Sequence, residues 1–138
     1  MMLEETIRIL SMQEEILQFP HFTNKDAWEL GSYMVSEAAH NGLPIVISIR
    51  LNNGYTLFQY GFKGTNYCNE IWMKRKHNTV RTMEMSSLRL YMDLKMNQEE
   101  LKDRGLNDEE YVACGGGFPI RVAGAGVIGS IIVSGLDH

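Results

Sequence analysis

The chain has 138 residues, 44% of them hydrophobic and 22% charged, with a net charge of −4. That length and mixture fit one domain, residues 1–138, with a core of its own, and they exclude a largely disordered chain. The acidic balance excludes general nucleic-acid binding, and no apolar run is long enough to cross a bilayer.

The start, Met-Met-Leu-Glu-Glu-Thr, has acids where a signal peptide has basic residues. Cys68 and Cys114 form neither Cys-x-x-Cys nor a zinc spacing. A reducing cytoplasm is therefore the expected setting. From Met2 to Phe19, Leu3, Ile7, Leu10, Ile16 and Leu17 recur at helical spacing until Pro20 stops the helix. Thr23 or Asn24 can cap a second helix, with Asp26 in its first turn. Ala27, Leu30, Met34 and Ala38 give it an apolar face, and Gly42 ends it.

The period then changes from helical to alternating. Pro44–Leu51 reads as a strand, Asn52-Asn53-Gly54 as a hairpin turn, and Tyr55–Phe62 as the returning strand. Apolar residues on both faces of the return predict a sheet covered on both sides. From Thr65 to Asn97 there is neither Gly nor Pro. This stretch predicts two helices, Thr65–Thr82 and Ser86–Met96, then a short acidic helix at Gln98–Arg104 closed by Gly105. A surface turn at Leu106–Tyr111 leads to a glycine-rich end, Cys114–Leu136, read as two closely packed strands. The order is an α+β pattern with helices on the faces of a mainly antiparallel sheet, not a doubly wound one.

Two stretches offer chemistry. Gly115-Gly116-Gly117 lacks the Lys of a phosphate loop, and Gly124-Ala-Gly126-Val-Ile-Gly129 is followed by Ser-Ile-Ile-Val-Ser, which is strand-like rather than helical. Most of these glycines therefore read as hairpin packing. Gly116 and Gly117, with Phe118 and Pro119, are the candidates for backbone contact with a ligand. The second stretch is basic: Lys63, Lys74, Arg75, Lys76 and Arg81 stand against one acid, Glu70. On a helix, Trp72, Arg75, Lys76 and Thr79 share a side, with Asn78 near, an arrangement suited to a flat anion. The competing reading places Trp72 in the core and leaves the basic residues solvated or paired with acids. His21, His40, His77 and His138 make no two-ligand spacing, so no metal site is expected, and neither His21 nor His77 lies in a haem-attachment motif.

These same residues carry a family resemblance. Gly115-Gly-Gly-Phe-Pro-Ile with Gly126-Val-Ile-Gly-Ser-Ile-Ile-Val-Ser-Gly resembles the glycine-rich end of the GlcG/HbpS-like haem-degrading domain family. Trp72, Arg75-Lys76, Asn78, Val80 and Ser86-Ser87 resemble its uncharacterised branch in particular. The resemblance implies a profilin-like α/β/α fold with a mainly antiparallel sheet, homo-oligomers, and haem binding or slow haem degradation in some members. It carries over no catalytic residue. The expected ligand site is Trp72, Arg75, Lys76, Asn78 and Gly116–Pro119, for a small anionic, planar ligand such as haem or another tetrapyrrole. An oligomeric scaffold is the alternative, with the basic helix meeting the acids of Glu99–Asp103 or Asp108–Glu110 on another subunit. Relatives continue past Ser-Gly-Leu with a Pro-containing loop, an Asp-His and a final helix; here Leu136 runs directly into Asp137-His138.

Overall fold

The computed structural model describes residues 3–136. Met2, placed in the first helix above, and His138 lie outside the described residues.

Helix α1 (Leu3–Ile16) leads into a two-residue strand, β1 (Gln18–Phe19), and helix α2 (Asn24–His40) follows. The hairpin of β2 (Val46–Leu51) and β3 (Thr56–Gly61) comes next, then helices α3 (Tyr67–Met83) and α4 (Ser87–Asn97). A single 3-10 turn at Leu101–Arg104 stands where a short acidic helix was expected, and β4 (Gly117–Val122) and β5 (Gly126–Ser134) close the order.

Local chemistry explains the boundaries. Thr23 caps α2 through a reciprocal pair with Asp26: its Oγ1 accepts from the Asp26 amide at 3.2 Å, and Asp26 Oδ2 accepts from the Thr23 amide at 2.7 Å. Asn66 caps α3 in the same way with Asn69. Between α3 and α4 the chain reverses at Glu84 (φ 54°), and Ser86 caps α4 through the Arg89 amide. The Asn52–Gly54 turn is as expected, with Asn53 Oδ1 accepting from the Tyr55 amide at 3.0 Å. Gly124 and Gly126, both at positive φ, turn β4 into β5; no helix follows them, so the dinucleotide spacing is accidental.

The strands lie in the order β1-β4-β5-β2-β3. The expected mainly antiparallel sheet is corrected to a mixed one. β4–β5, β5–β2 and β2–β3 are antiparallel, and β1 pairs with β4 in parallel through Gln18–Arg121 and Phe19–Val122. The cause is local. α1 ends at Ile16, three residues before the expected end, and the chain runs extended beside β4 before Pro20, with Phe19 O accepting from the Ala123 amide at 2.9 Å.

Helices cover both faces of the sheet. Ala27 of α2 packs on Ile49 and Ile120, and Ala38 on Ile45 and Ile47. On the other face Met73 of α3 packs on Val46 and Ile132. Leu90 and Leu94 of α4 form a further cluster with Leu106. Strand β3 is mostly exposed, apart from Leu57 and Phe58, which are half-buried against the core, Phe58 lying over Gly31 of α2. No helix among the described residues is long and apolar enough to cross a membrane.

Candidate functional site

The sheet face beneath α3 is not a simple apolar floor. Strand alternation puts Ser48 and Arg50 of β2 and Ser130 and Ser134 of β5 on this face, between the isoleucines that point to α2. Arg50, 5% exposed, donates from Nε to Ser48 Oγ at 2.9 Å and from Nη2 to Gln59 Oε1 and to Glu70 Oε1 at 2.7 Å. Helix α3 lowers Met73, Lys76, His77 and Val80 onto that face. The helix therefore carries two basic side chains inward, and a cleft opens on each of its flanks.

The first cleft, about 370 Å³, is lined by Cys68, Asn69, Trp72, Lys76, Cys114, Gly115 and Ser134–Leu136. Trp72 is 40% exposed, so it is not a core residue, and the Arg75 guanidinium lies 4.4 Å from its ring centre. Lys76 is 5% exposed, and its Nζ donates to Val133 O at 2.9 Å. Burial pushes this ammonium below its usual range, opposed by the nearby Cys114. The Cys114 thiol is pushed up, again chiefly by burial, with Lys76 and Arg75 opposing.

The remaining expected site residues divide. Arg75 Nε donates to Tyr111 O at 3.3 Å and Asn78 Nδ2 to Glu110 O at 2.9 Å, so both tie α3 to the loop before the glycines. Glu109 and Glu110 share a smaller cleft with Lys74, Arg75 and Asn78. Acids expected on another subunit thus lie beside the basic helix of the same chain. Gly116 leaves room for Lys76: a Cβ there would come within 2.5 Å of Val133 O and 2.6 Å of Lys76 Nζ. Gly117 fits against Val80 and Ser87, and its amide donates to Ser87 Oγ at 2.9 Å. Phe118 is partly buried and Pro119 is buried within β4. Trp72 and Lys76 therefore meet in one cleft, while the Gly116–Pro119 run contributes packing around it.

A second cleft, which no motif in the sequence marks, lies on the opposite flank. It is lined by Arg50, Asn52–Gly54, Thr56, Glu70, Lys74, His77, Asn78 and Arg81. The alternation of Ser48 and Arg50 inside an isoleucine-rich strand was the available signal.

Comparison with known proteins adds to this geometry. A family model described as haem degrading protein HbpS-like matches residues 22–138. A UPF0303 protein of Yersinia enterocolitica is 38% identical over 139 positions, covering 100% of this chain and 82% of the relative. One of Pseudomonas entomophila is 43% identical, covering 100% and 77%. Among solved structures, the Ybr137w protein superposes with a TM-score of 0.86 at 26% identity, over 95% of this chain and 78% of that one. A PduOC:Heme complex superposes with a TM-score of 0.68 at 19% identity, over 84% and 83%, a likeness of fold.

Proposed function

The chain belongs to the HbpS-like haem-degrading protein family, and on that premise we propose that it is a binding domain for a small planar anion of the tetrapyrrole class, held in the Trp72–Lys76 cleft. The observation that carries this reading is a half-exposed indole and a buried ammonium, one helical turn apart, lining the same cleft. A flat ring gains from an aromatic wall, and an acid group gains most from a cation withdrawn from water. Lys76 spends one of its three donors on the Val133 carbonyl, which leaves donors to meet a carboxylate.

These residues fit the ring and the acid groups of a porphyrin. For an iron centre, which would bring axial ligation and redox chemistry, the lining offers the thiols of Cys68 and Cys114. Cys68 is the exposed one and Cys114 is disfavoured as a thiolate by burial. The PduOC:Heme complex, which shares the fold of this chain, adds support for a haem-like ligand.

Titration with haemin and with iron-free protoporphyrin tests the reading. Saturable shifts of the main absorbance band and quenching of Trp72 fluorescence are expected. Lys76→Met keeps the stem but removes the charge. Losing a charged hydrogen bond of about 1.5–3 kcal/mol should weaken binding by roughly 10- to 100-fold. A linear, unsaturable response to both compounds would discard the reading.

A further inference from the structure

The two ends of the sheet differ in how they meet solvent. At one end β1 pairs with β4, and the Gly117 amide donates to Ser87. At the other end β3 pairs with β2 alone, and among the described residues no strand lies beyond it. The Phe62 amide donates to Ile45 O, so by alternation Phe58, Tyr60 and Phe62 turn their backbone groups toward β2. Gln59 and Gly61 turn theirs outward, and both residues are exposed. An open edge is a template for a further strand, and proteins blunt it with charge, proline or a covering segment. From Gly54 to Phe62 there is neither charge nor proline. On the α3 face the edge borders an open cleft of about 400 Å³, lined by Gln59, Gly61, Thr65 and Tyr67 among others, so a strand can approach.

The side chains along this edge carry a second observation. Register puts Phe58, Tyr60 and Phe62 on the α2 face, opposite Ile49, Ile47 and Ile45. Trp28 of α2 meets Phe58 edge-on at 6.0 Å, and Tyr60 meets Phe62 in the same way at 4.9 Å. The row is aromatic yet open to water, with Trp28 64% exposed and Tyr60 47%. The α3 face carries Gln59 and Gly61, one long side chain and one absent.

We propose that β3 pairs antiparallel with β3 of a second copy of this chain, about a twofold axis at Tyr60, so that two sheets become one. In that register Gln59 and Gly61 face the partner's Gly61 and the partner's Gln59, and every outward N–H and C=O of these residues is satisfied. Phe58 meets the partner's Phe62 and Tyr60 meets the partner's Tyr60, in the close, non-hydrogen-bonded positions where aromatic pairs contribute most. Gln59 lies across from the partner's Gly61, which has no side chain to oppose it. An axis at Gln59 instead would bring the irregular step beside Leu57 into the ladder. The strand is uncharged, so two identical copies meet without repulsion, whereas a charged peptide would find no counter-charge. A stable interface buries about 1,200 Å² or more, and Trp28 with the aromatic row adds apolar area to the strand contact.

Sedimentation of the full chain between about 5 and 500 µM should show a dimer that grows with concentration. Amide exchange at Gln59 and Gly61 should slow as it forms. Tyr60 is exposed, so Tyr60→Lys should fold normally, as thermal unfolding checks, while setting like charges face to face on the axis. Dimerisation should weaken roughly tenfold or more. Tyr60→Glu should act likewise, and mixing the two variants should restore association, because opposite charges then meet. A monomer at every concentration overturns the proposal. So does a dimer that Tyr60→Lys leaves intact, since another surface would then hold it. Fast exchange at Gln59 and Gly61 within a dimer overturns it too, and leaves the edge to a strand of another protein. Failure of the mixed variants to associate would overturn the axis at Tyr60.

Discussion

Lys76 and His77 are adjacent in sequence, basic and buried, and burial works against the charge of each. For His77, burial first, then Arg50 and Arg81, lower the pKa from 6.5 to about 4. The unfolded chain then takes up a proton near pH 6.5 that the fold refuses until about pH 4. Stability linked to His77 is fully present above pH 6.5 and is lost as pH falls through that window, by roughly 3 kcal/mol in all. Urea unfolding at pH 7.5, 5.5 and 4.5 should show this slope in the unmodified chain and a shallower one in His77→Gln; parallel profiles would mean the ring is already charged at pH 5.5. Gly116 gives a second residue-scale expectation. At φ 119°, with Val133 O and Lys76 Nζ both within 2.6 Å of an added Cβ, Gly116→Ala should cost on the order of 2–4 kcal/mol. The partnership of Trp72 and Lys76 was legible in the sequence because helical spacing alone links them. Arg50 and His77 were not, since a lone polar residue shows its depth only when another element packs over it.

Among the elements, α3 was legible in extent, and the structure adds which of its sides faces the sheet. Spacing put Trp72, Arg75, Lys76 and Thr79 on one side. Tertiary packing divided that side, burying Lys76 and Thr79 and leaving Trp72 at the rim. Helices α1 and α4 are joined by a feature no local pattern reveals. Glu14, 1% exposed, meets Arg89 at 3.1 Å, and Glu14 Oε2 and Arg89 Nε are left without hydrogen bonds. Removing one partner strands the other charge, so Arg89→Ala should cost about 3–5 kcal/mol, whereas the double change Glu14→Met/Arg89→Leu should be close to neutral. Equal losses in the single and double variants, measured by denaturant unfolding, would contradict this. Strand β1 was illegible for a simpler reason: two residues are too few to display a period.

At the scale of the whole molecule, the order of elements could be read from turn chemistry and changes of period, and the covering of both sheet faces from apolar residues on both sides of the returning strand. The parallel pair could not, because the neighbour of a strand depends on distant chain. That neighbour decides how the outer side of β4 is satisfied. The Gly116 carbonyl accepts from the Val133 amide of β5, so by alternation the amides of residues 117, 119, 121 and 123 point away from β5. Gly117 gives its N–H to Ser87, and Ala123 gives its own to Phe19. Pro119, buried between them, has no N–H to give. Proline thus fits where a strand edge is shut away from water but lacks a partner strand. Pro119→Ala would create a buried donor without an acceptor and should lower stability by about 1–3 kcal/mol in urea unfolding, despite the small change in volume. An unchanged midpoint would mean that water reaches this edge and that the proline is there for its shape alone.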